Sequence, residues 1–351
     1  HVEWNIPLFQ RPQHIAKNLG LNGYLFFYCT PNYIDKVNGF VEVSKNCFLT
    51  NRLDMLESFS FKKVYNVYST NFKLTPEYIH HQINQGNLIL YEYIDEIHED
   101  ISGYIPQAAR KAFQTVLENE VCMVVATADK LVKEVGKHRT TNFTLVTNGV
   151  DYTHFSQSFT REEIPDEIKG MVDEGKPIIG YFGALAKWVD IDLLVEMARK
   201  RPDLNILLIG WKFSNDLRWR SISESNITII GPIDYSILPR YAFWFDACMI
   251  PFLINEITES TSPIKLFEYM ALGKPIVTTA IPESRKYQSV LIGENHQDFI
   301  LKIDQALSLR DNTQYKDTLR KDALNNTWDA KAKEIGKLID LNLKPLSANR
   351  Q

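Results

Sequence analysis

Glu256–Thr279, EITESTSPIKLFEYMALGKPIVTT, reads as loop, helix, turn and strand. Thr258, Ser260, Thr261 and Ser262 offer side-chain caps, and Pro263 suits the first helical position, where its missing N–H would be unpaired anyway. Ile264, Phe267 and Ala271 recur at helical spacing, with Leu266 and Met270 widening the apolar face. Gly273 can take the left-handed conformation that ends a helix, and Pro275 blocks continuation. Pro275–Thr279 is then a short buried strand. Lys265 and Glu268 lie three apart and share a face just inside the helix start. A helix N-terminus with a Lys in its first turn suits an anion, and a carboxylate one turn further can accept from two hydroxyls. The plainer reading of the same residues is an amphipathic helix with one surface ion pair.

Outward from this stretch, strands and helices alternate. Tyr24–Cys29, Phe40–Val43, Cys47–Leu49, Lys63–Tyr68, Leu88–Ile94, Val121–Ala126 and Phe143–Val146 are expected strands. Helices are expected after Pro7 to Gly20, over Thr75–Gln85, Pro106–Leu117 and Asp129–Gly136. A polar run from Phe155 to Lys176 marks a domain boundary near 160. A second alternation follows. Its strands are Pro177–Phe182, Asn205–Ile209, Ile227–Ile230, Ala247–Phe252, the anchor strand and Val290–Ile292. Its helices are Ile191–Arg199, Ser236–Trp244, the anchor helix and Gln297–Ser308, and Asn325–Leu343 forms a long terminal helix around Trp328. This rhythm predicts two doubly wound α/β domains, residues 1–160 and 161–327, with ligands at strand carboxyl ends in a cleft between them. An α/β domain normally places a strand before its first helix. The expectation is that the sequence starts a few residues inside the natural chain.

Composition narrows the class. Of 351 residues, 44% are hydrophobic and 23% charged, as in a globular enzyme. A formal charge of −4 argues against nucleic acid as a partner. No apolar run approaches the ~18 residues of a membrane span. Cys29, Cys47, Cys122 and Cys248 are scattered without metal-ligand spacing and read as buried thiols in a reducing compartment.

The anchor stretch resembles the donor-binding signature of family 4 of the glycosyltransferases (the group 1 glycosyltransferases), a Glu-x7-Glu pattern followed by a small-x-Gly-x-Pro-hydrophobic run. Glu268 stands at the second acidic position, and Tyr269 to Val277 follow the pattern. The first acidic position falls at Ser260, with Glu256 and Glu259 nearby but out of register. The resemblance implies the two-domain GT-B architecture, a terminal helix over 328–351 that crosses back to the first domain, and a nucleotide-sugar donor. Gly183 lies where the family grips the donor diphosphate. The family's Arg is Ala184 here, and Lys187 is the basic residue placed to replace it. The loop Gly231–Tyr235, with Ile233 at its centre, matches the stretch that lies along the nucleobase, followed by Arg240 in the next helix.

In the first domain, Arg11 and His14 occupy the loop and helix that the family turns towards the donor phosphates. Asp95, Glu96 and His98 follow a buried strand, and Asp95, nearest the strand end, is the expected catalytic acid group beside Arg11. Asn148-Gly149-Val150-Asp151 resembles a family run and reads as an architectural turn. The donor set is Glu268, Lys265, Ser262, Thr261, Ser260, Gly183, Lys187 and Ile233. The implied activity is retaining, metal-independent transfer from a nucleotide diphosphate sugar, UDP-sugar favoured, to a glycan, lipid-linked or small-molecule acceptor. No metal and no cofactor beyond the donor are expected, and the location is cytoplasmic with peripheral contact at the membrane face. The alternatives are a degenerate nucleotide-binding subunit and a nucleotide-sugar epimerase or hydrolase.

Overall fold

The structure is a computed structural model and describes residues 2–99, 104–212 and 218–343. The chain divides into two compact units. Unit 1 holds residues up to Asn148, Ser260–Ser262 and the chain from Trp328 onward; unit 2 holds Gly149–Glu259 and Pro263–Thr327. The division falls at Asn148/Gly149, ahead of the polar run at 155–176 that marked the expected boundary at 160. That run instead contributes the helix Asp166–Glu174, whose Ile168 is buried in unit 2.

Unit 2 is a six-stranded parallel sheet. Its strands are β8 (Ile178–Phe182), β9 (Asn205–Ile209), β10 (Ile227–Ile230), β11 (Ala247–Ile250), β12 (Ile276–Thr279) and β13 (Val290–Gly293). They lie in the order β10-β9-β8-β11-β12-β13. Numbered from β8, this is the 3-2-1-4-5-6 order of the doubly wound fold, with its switch point between β8 and β11. The strands read as continuous apolar runs because helices cover both faces. Gly210 fits only as glycine. Its φ is +151°, and a Cβ there would meet the Gly183 carbonyl oxygen at 1.9 Å.

Unit 1 contains two sheets among its described residues, where a single doubly wound sheet was expected. One comprises β1 (Phe26–Cys29), β2 (Phe40–Ser44) and β3 (Cys47–Thr50) in the order β1-β3-β2. In it β1 and β3 are parallel, and β2 folds back antiparallel through a turn at Asn46, whose φ is +59°. The other comprises β4 (Val64–Tyr68), β5 (Leu88–Tyr93), β6 (Met123–Ala126) and β7 (Phe143–Leu145), all parallel and in that order. The short helix Leu53–Ser58 escaped the sequence pattern, since only Leu56 of its residues is buried.

The expected terminal helix from Asn325 is two helices, Thr313–Asn325 and Trp328–Leu343. The break has a backbone cause. Asn326 leaves the helical conformation (φ −119°, ψ 36°), and its carbonyl accepts from the Val150 N–H at 2.9 Å. The second helix packs on the helix Arg11–Leu21 within unit 1, as the crossing-back expectation required. The Trp328 ring stacks on His14 at 4.7 Å between centroids and 11° between planes. Asn22 and Tyr24 tie the same helix down through Asp329 at 2.9 Å and Asp340 at 2.7 Å.

Trp328 is 2% exposed. Trp328→Ala should therefore lower stability by about 3–5 kcal/mol, the range for deleting a buried aromatic side chain. Urea unfolding monitored by circular dichroism checks this. A change within experimental error would mean that the terminal helix does not stabilise unit 1.

Candidate functional site

The helix Ile264–Leu272 begins beyond Pro263, which is its N-cap in extended conformation (φ −67°, ψ 120°), one position earlier than expected. No side chain caps it. Ser262 is engaged elsewhere: its hydroxyl accepts from the Asn148 N–H at 3.2 Å and its carbonyl from Asn148 Nδ2 at 2.6 Å. The Leu266 N–H donates to the Pro263 carbonyl at 3.1 Å, and no side chain caps the N–H groups of Ile264 and Lys265, which suit another acceptor. Gly273 ends the helix at φ +67°, as its position suggested. Tyr269 fastens the helix to the sheet, its hydroxyl accepting from the Phe182 N–H at 3.0 Å.

Lys265 reaches the switch point of the unit 2 sheet. Its ammonium lies 5.2 Å from the centroid of the Tyr181 ring on β8 and 4.9 Å from that of Phe252, just past β11. Gly183 makes room for it. A Cβ there would sit 2.8 Å from Lys265 Cε, and the backbone is already at φ +133°. Burial pushes the Lys265 ammonium down to about 8, with Glu268 opposing the shift. Burial likewise pushes the Glu268 carboxyl up to about 8, against the pull of Lys265.

The two charges influence one another without meeting. Among the described residues neither has a hydrogen-bond or ion-pair partner, so the surface ion pair of the plainer sequence reading does not form. Isolated buried charges are costly, and such groups gather where a ligand completes them. Tyr235 lies near enough that the Glu268 charge helps raise its phenol, and it stacks on His154 at 4.5 Å. The loop carrying Ile233 thus ends beside Glu268. Ile233 itself is half-buried against the core. Sequence reasoning passed over Tyr181 and Phe252, because an aromatic in a strand reads as core.

Other expectations need correction. Lys187 is exposed on the turn after Gly183, and the basic side chain packed on Gly183 is Lys265. Ser260 and Thr261, with Ser262, group with unit 1. Ser260 is 1% exposed and donates to Glu96 Oε2 at 3.2 Å, while Glu256 and Glu259 are exposed on a short helix. Arg240 donates to the Glu163 carbonyl and fastens unit 2 internally.

Arg11 is held within unit 1, and its Nη2 is buried without a hydrogen-bond partner among the described residues. It is 2% exposed, pairs with buried Glu92 at 2.6 Å and donates to Thr147 O at 3.1 Å and Asn148 Oδ1 at 3.2 Å. A buried carboxylate on β5 captures the guanidinium because neither charge could stay buried alone. His14 is held against Trp328. Asp95 differs from both. It follows β5, is half-buried, and burial pushes its carboxyl up to about 7. Glu96 beside it pairs with Lys130 at 3.1 Å. Among the described residues no cluster of three or more His, Cys, Asp or Glu suits a metal ion.

Two α/β units, one with the 3-2-1-4-5-6 sheet and an anion-suited helix start at its switch point, define the GT-B fold, and solved structures agree. The chain is similar to Anabaena Alr3699/HepE in complex with UDP (TM-score 0.61, 13% identity, 79% of each chain). It is also similar to a glycosyltransferase from Rickettsia africae ESF-5 (TM-score 0.63, 15% identity, 83% of this chain and 79% of that one). Residues 176–308 match the family model described as "Glycosyl transferases group 1". A curated relative, the "Putative teichuronic acid biosynthesis glycosyltransferase TuaH" of Bacillus subtilis (strain 168), is 28% identical over 224 residues. That match covers 61% of this chain and 55% of the relative's length.

The Glu268 shift fixes a pH dependence. The unfolded carboxyl ionises near 4.5 and the folded one near 8, so between those values the unfolded chain has lost a proton that the folded one keeps. Stability contributed by the neutral form is present below 4.5 and is lost as pH rises towards 8. Glu268→Gln should flatten this fall. Urea midpoints at pH 5 and pH 8 compare the slopes, and parallel slopes would place Glu268 in the ordinary carboxyl range.

Proposed function

We propose that the chain transfers a sugar from a nucleoside diphosphate sugar, UDP-sugar favoured, to a glycan acceptor. The observation that carries this is the pair of partnerless charges, Lys265 and Glu268, at the switch point and uncapped helix start of unit 2. A diphosphate supplies negative charge to the ammonium and acceptors to the free N–H groups of the helix start. Ribose supplies two hydroxyl donors to the Glu268 carboxylate. Gly183 admits Lys265 to the place where the leaving diphosphate gathers charge, and stabilisation there lowers the barrier to breaking the sugar–phosphate bond. The new bond forms to an acceptor hydroxyl, whose proton must be removed. Retention at the anomeric carbon is the outcome the family resemblance favours.

Asp95, titrating near neutrality, is the unit 1 group chemically suited to exchange a proton. The UDP bound by the Anabaena protein supports uracil as the base. The polymer named for the Bacillus relative supports a polysaccharide or its lipid-linked precursor as acceptor. Among the described residues no helix is long and apolar enough to cross a membrane. We place the protein in the cytoplasm with peripheral access to the membrane, where four unpaired cysteines are stable. A second reading, a nucleotide-binding subunit without turnover, is favoured by Ser260 and Ala184 at positions where the resemblance implies charged residues. It is distinguished by UDP binding without sugar transfer.

Glu268→Ala should weaken UDP binding by about one to two powers of ten, since hydrogen bonds to a charged group contribute roughly 1.5–3 kcal/mol and a decade is about 1.4 kcal/mol. Titration calorimetry on a variant with an unchanged circular dichroism spectrum reads this. UDP affinity equal to that of the parent would remove Glu268 from the donor site, and no UDP binding by the parent would end the uridine reading.

Lys265 and the helix start should do the work of a divalent cation. Sugar transfer should therefore persist in excess EDTA. Loss of activity that Mg²⁺ or Mn²⁺ restores would contradict this.

A further inference from the structure

Unit 2 has a cavity at the end of its sheet away from Lys265. Gly183 and Phe252 follow the carboxyl ends of β8 and β11. Asp246 and Lys274 precede the amino ends of β11 and β12, and both line a cavity of about 620 Å³. One helix joins the two ends. Ile264–Leu272 carries Lys265 in its first turn, and Met270 to Gly273 at its close line the cavity. At 1.5 Å per residue its nine residues span about 13 Å.

The cavity is basic. Lys274, Arg310, Lys316 and Arg320 line it against two carboxylates, Asp246 and Asp311. The protein itself partners the arginines. Arg310 pairs with Asp246 at 3.4 Å and Asp311 at 3.3 Å, and Arg320 pairs with Asp317 at 3.9 Å. The lysines differ. Both are half-buried, and among the described residues neither has an ion-pair or side-chain hydrogen-bond partner. The Lys274 ammonium lies 5.1 Å from the centroid of the Phe243 ring. Burial holds it below the usual lysine range, and the Lys316 charge pushes the same way, against Asp246 and Asp311.

Helix physics accounts for one lysine and not the other. A cation just beyond Gly273 complements the carboxyl end of the helix Ile264–Leu272. Lys316 has the reverse placement. It is near the start of the helix Thr313–Asn325, the end that disfavours cations, and Arg320 repeats the charge one turn later. The fold thus gathers like charges around one cavity, and an anion there relieves their repulsion.

The remaining lining indicates what carries the anion. Ser156, Gln157 and Ser158 are exposed there, and the half-buried rings of Tyr152 and Phe243 add apolar surface. Hydroxyl and amide groups suit the hydroxyls of a sugar, and the volume is that of a small-molecule site. We propose that the cavity at the amino ends of β11 and β12 binds a phosphate monoester of a water-soluble sugar, with Lys274 and Lys316 holding the phosphate. The site is separate from that of the donor and does not depend on which donor is used.

Titration calorimetry with glucose 1-phosphate tests this on the full chain and three variants. The parent should bind, and Lys274→Met and Lys316→Met should each weaken binding about tenfold, as loss of a hydrogen bond to a charged group does. Lys265→Met, altered at the other end of the helix, should bind as the parent does. If Lys274→Met does not fold, Lys316→Met decides. No binding by the parent at millimolar concentration overturns the proposal, and so does parental affinity in Lys316→Met. Loss confined to Lys265→Met places the ligand at the donor end and also overturns it. Inorganic phosphate should bind more weakly, since it lacks the sugar contacts, and equal affinity removes the sugar from the proposal. Vesicles containing phosphatidic acid should not displace glucose 1-phosphate. Displacement assigns the site to a lipid headgroup and overturns the proposal.

Discussion

Lys265 and Glu268 sit one turn apart on a buried helix and do not meet. A direct ion pair would neutralise both and leave nothing for a ligand. Here the ammonium is drawn aside, over the rings of Tyr181 and Phe252, where aromatic faces partly replace water. The carboxyl is left with Tyr235 as neighbour. Each group shifts towards its neutral form because burial outweighs their mutual attraction. The arrangement is sustained by the rest of unit 2. Gly183 leaves space for the lysine stem, and the bond from the Phe182 N–H to Tyr269 fixes the rotation of the helix.

The same physics produces the opposite result in unit 1. Arg11 and Glu92 are more deeply buried than Lys265 and Glu268, but they touch at 2.6 Å, and the guanidinium also finds two oxygens near residue 148. That pair is in direct contact. It holds the helix Arg11–Leu21 to the end of the β5 strand and leaves Nη2 of Arg11 without a partner among the described residues. Burial alone therefore does not mark a functional charge. What separates the two cases is whether the protein already supplies the partner.

The sheets of the two units differ in strand order. A parallel sheet is stable when helices cover its faces and each inner strand is paired on both sides. Unit 2 meets that condition through β8. In unit 1 the end strands β1 and β4 belong to separate sheets and line one largely apolar cavity.

Much of this was legible in the sequence, because the signals were local. Alternating strands and helices gave both α/β units, Gly273 and Pro275 ended the anchor helix, and Lys265 and Glu268 were placed on one shared face of it by spacing alone. Spacing could not say whether those two charges pair. It also could not say that Pro263 rather than Ser262 stands at the helix start, that Arg11 pairs with Glu92 81 positions away, or that the Asn326 carbonyl bonds to Val150 where the terminal helix breaks. Each of these depends on which distant group arrives at a buried polar atom. Sequence determines periodicity, capping potential and turns, which are set within a few residues. Partner choice for buried charges and backbone groups is decided only when the chain closes on itself.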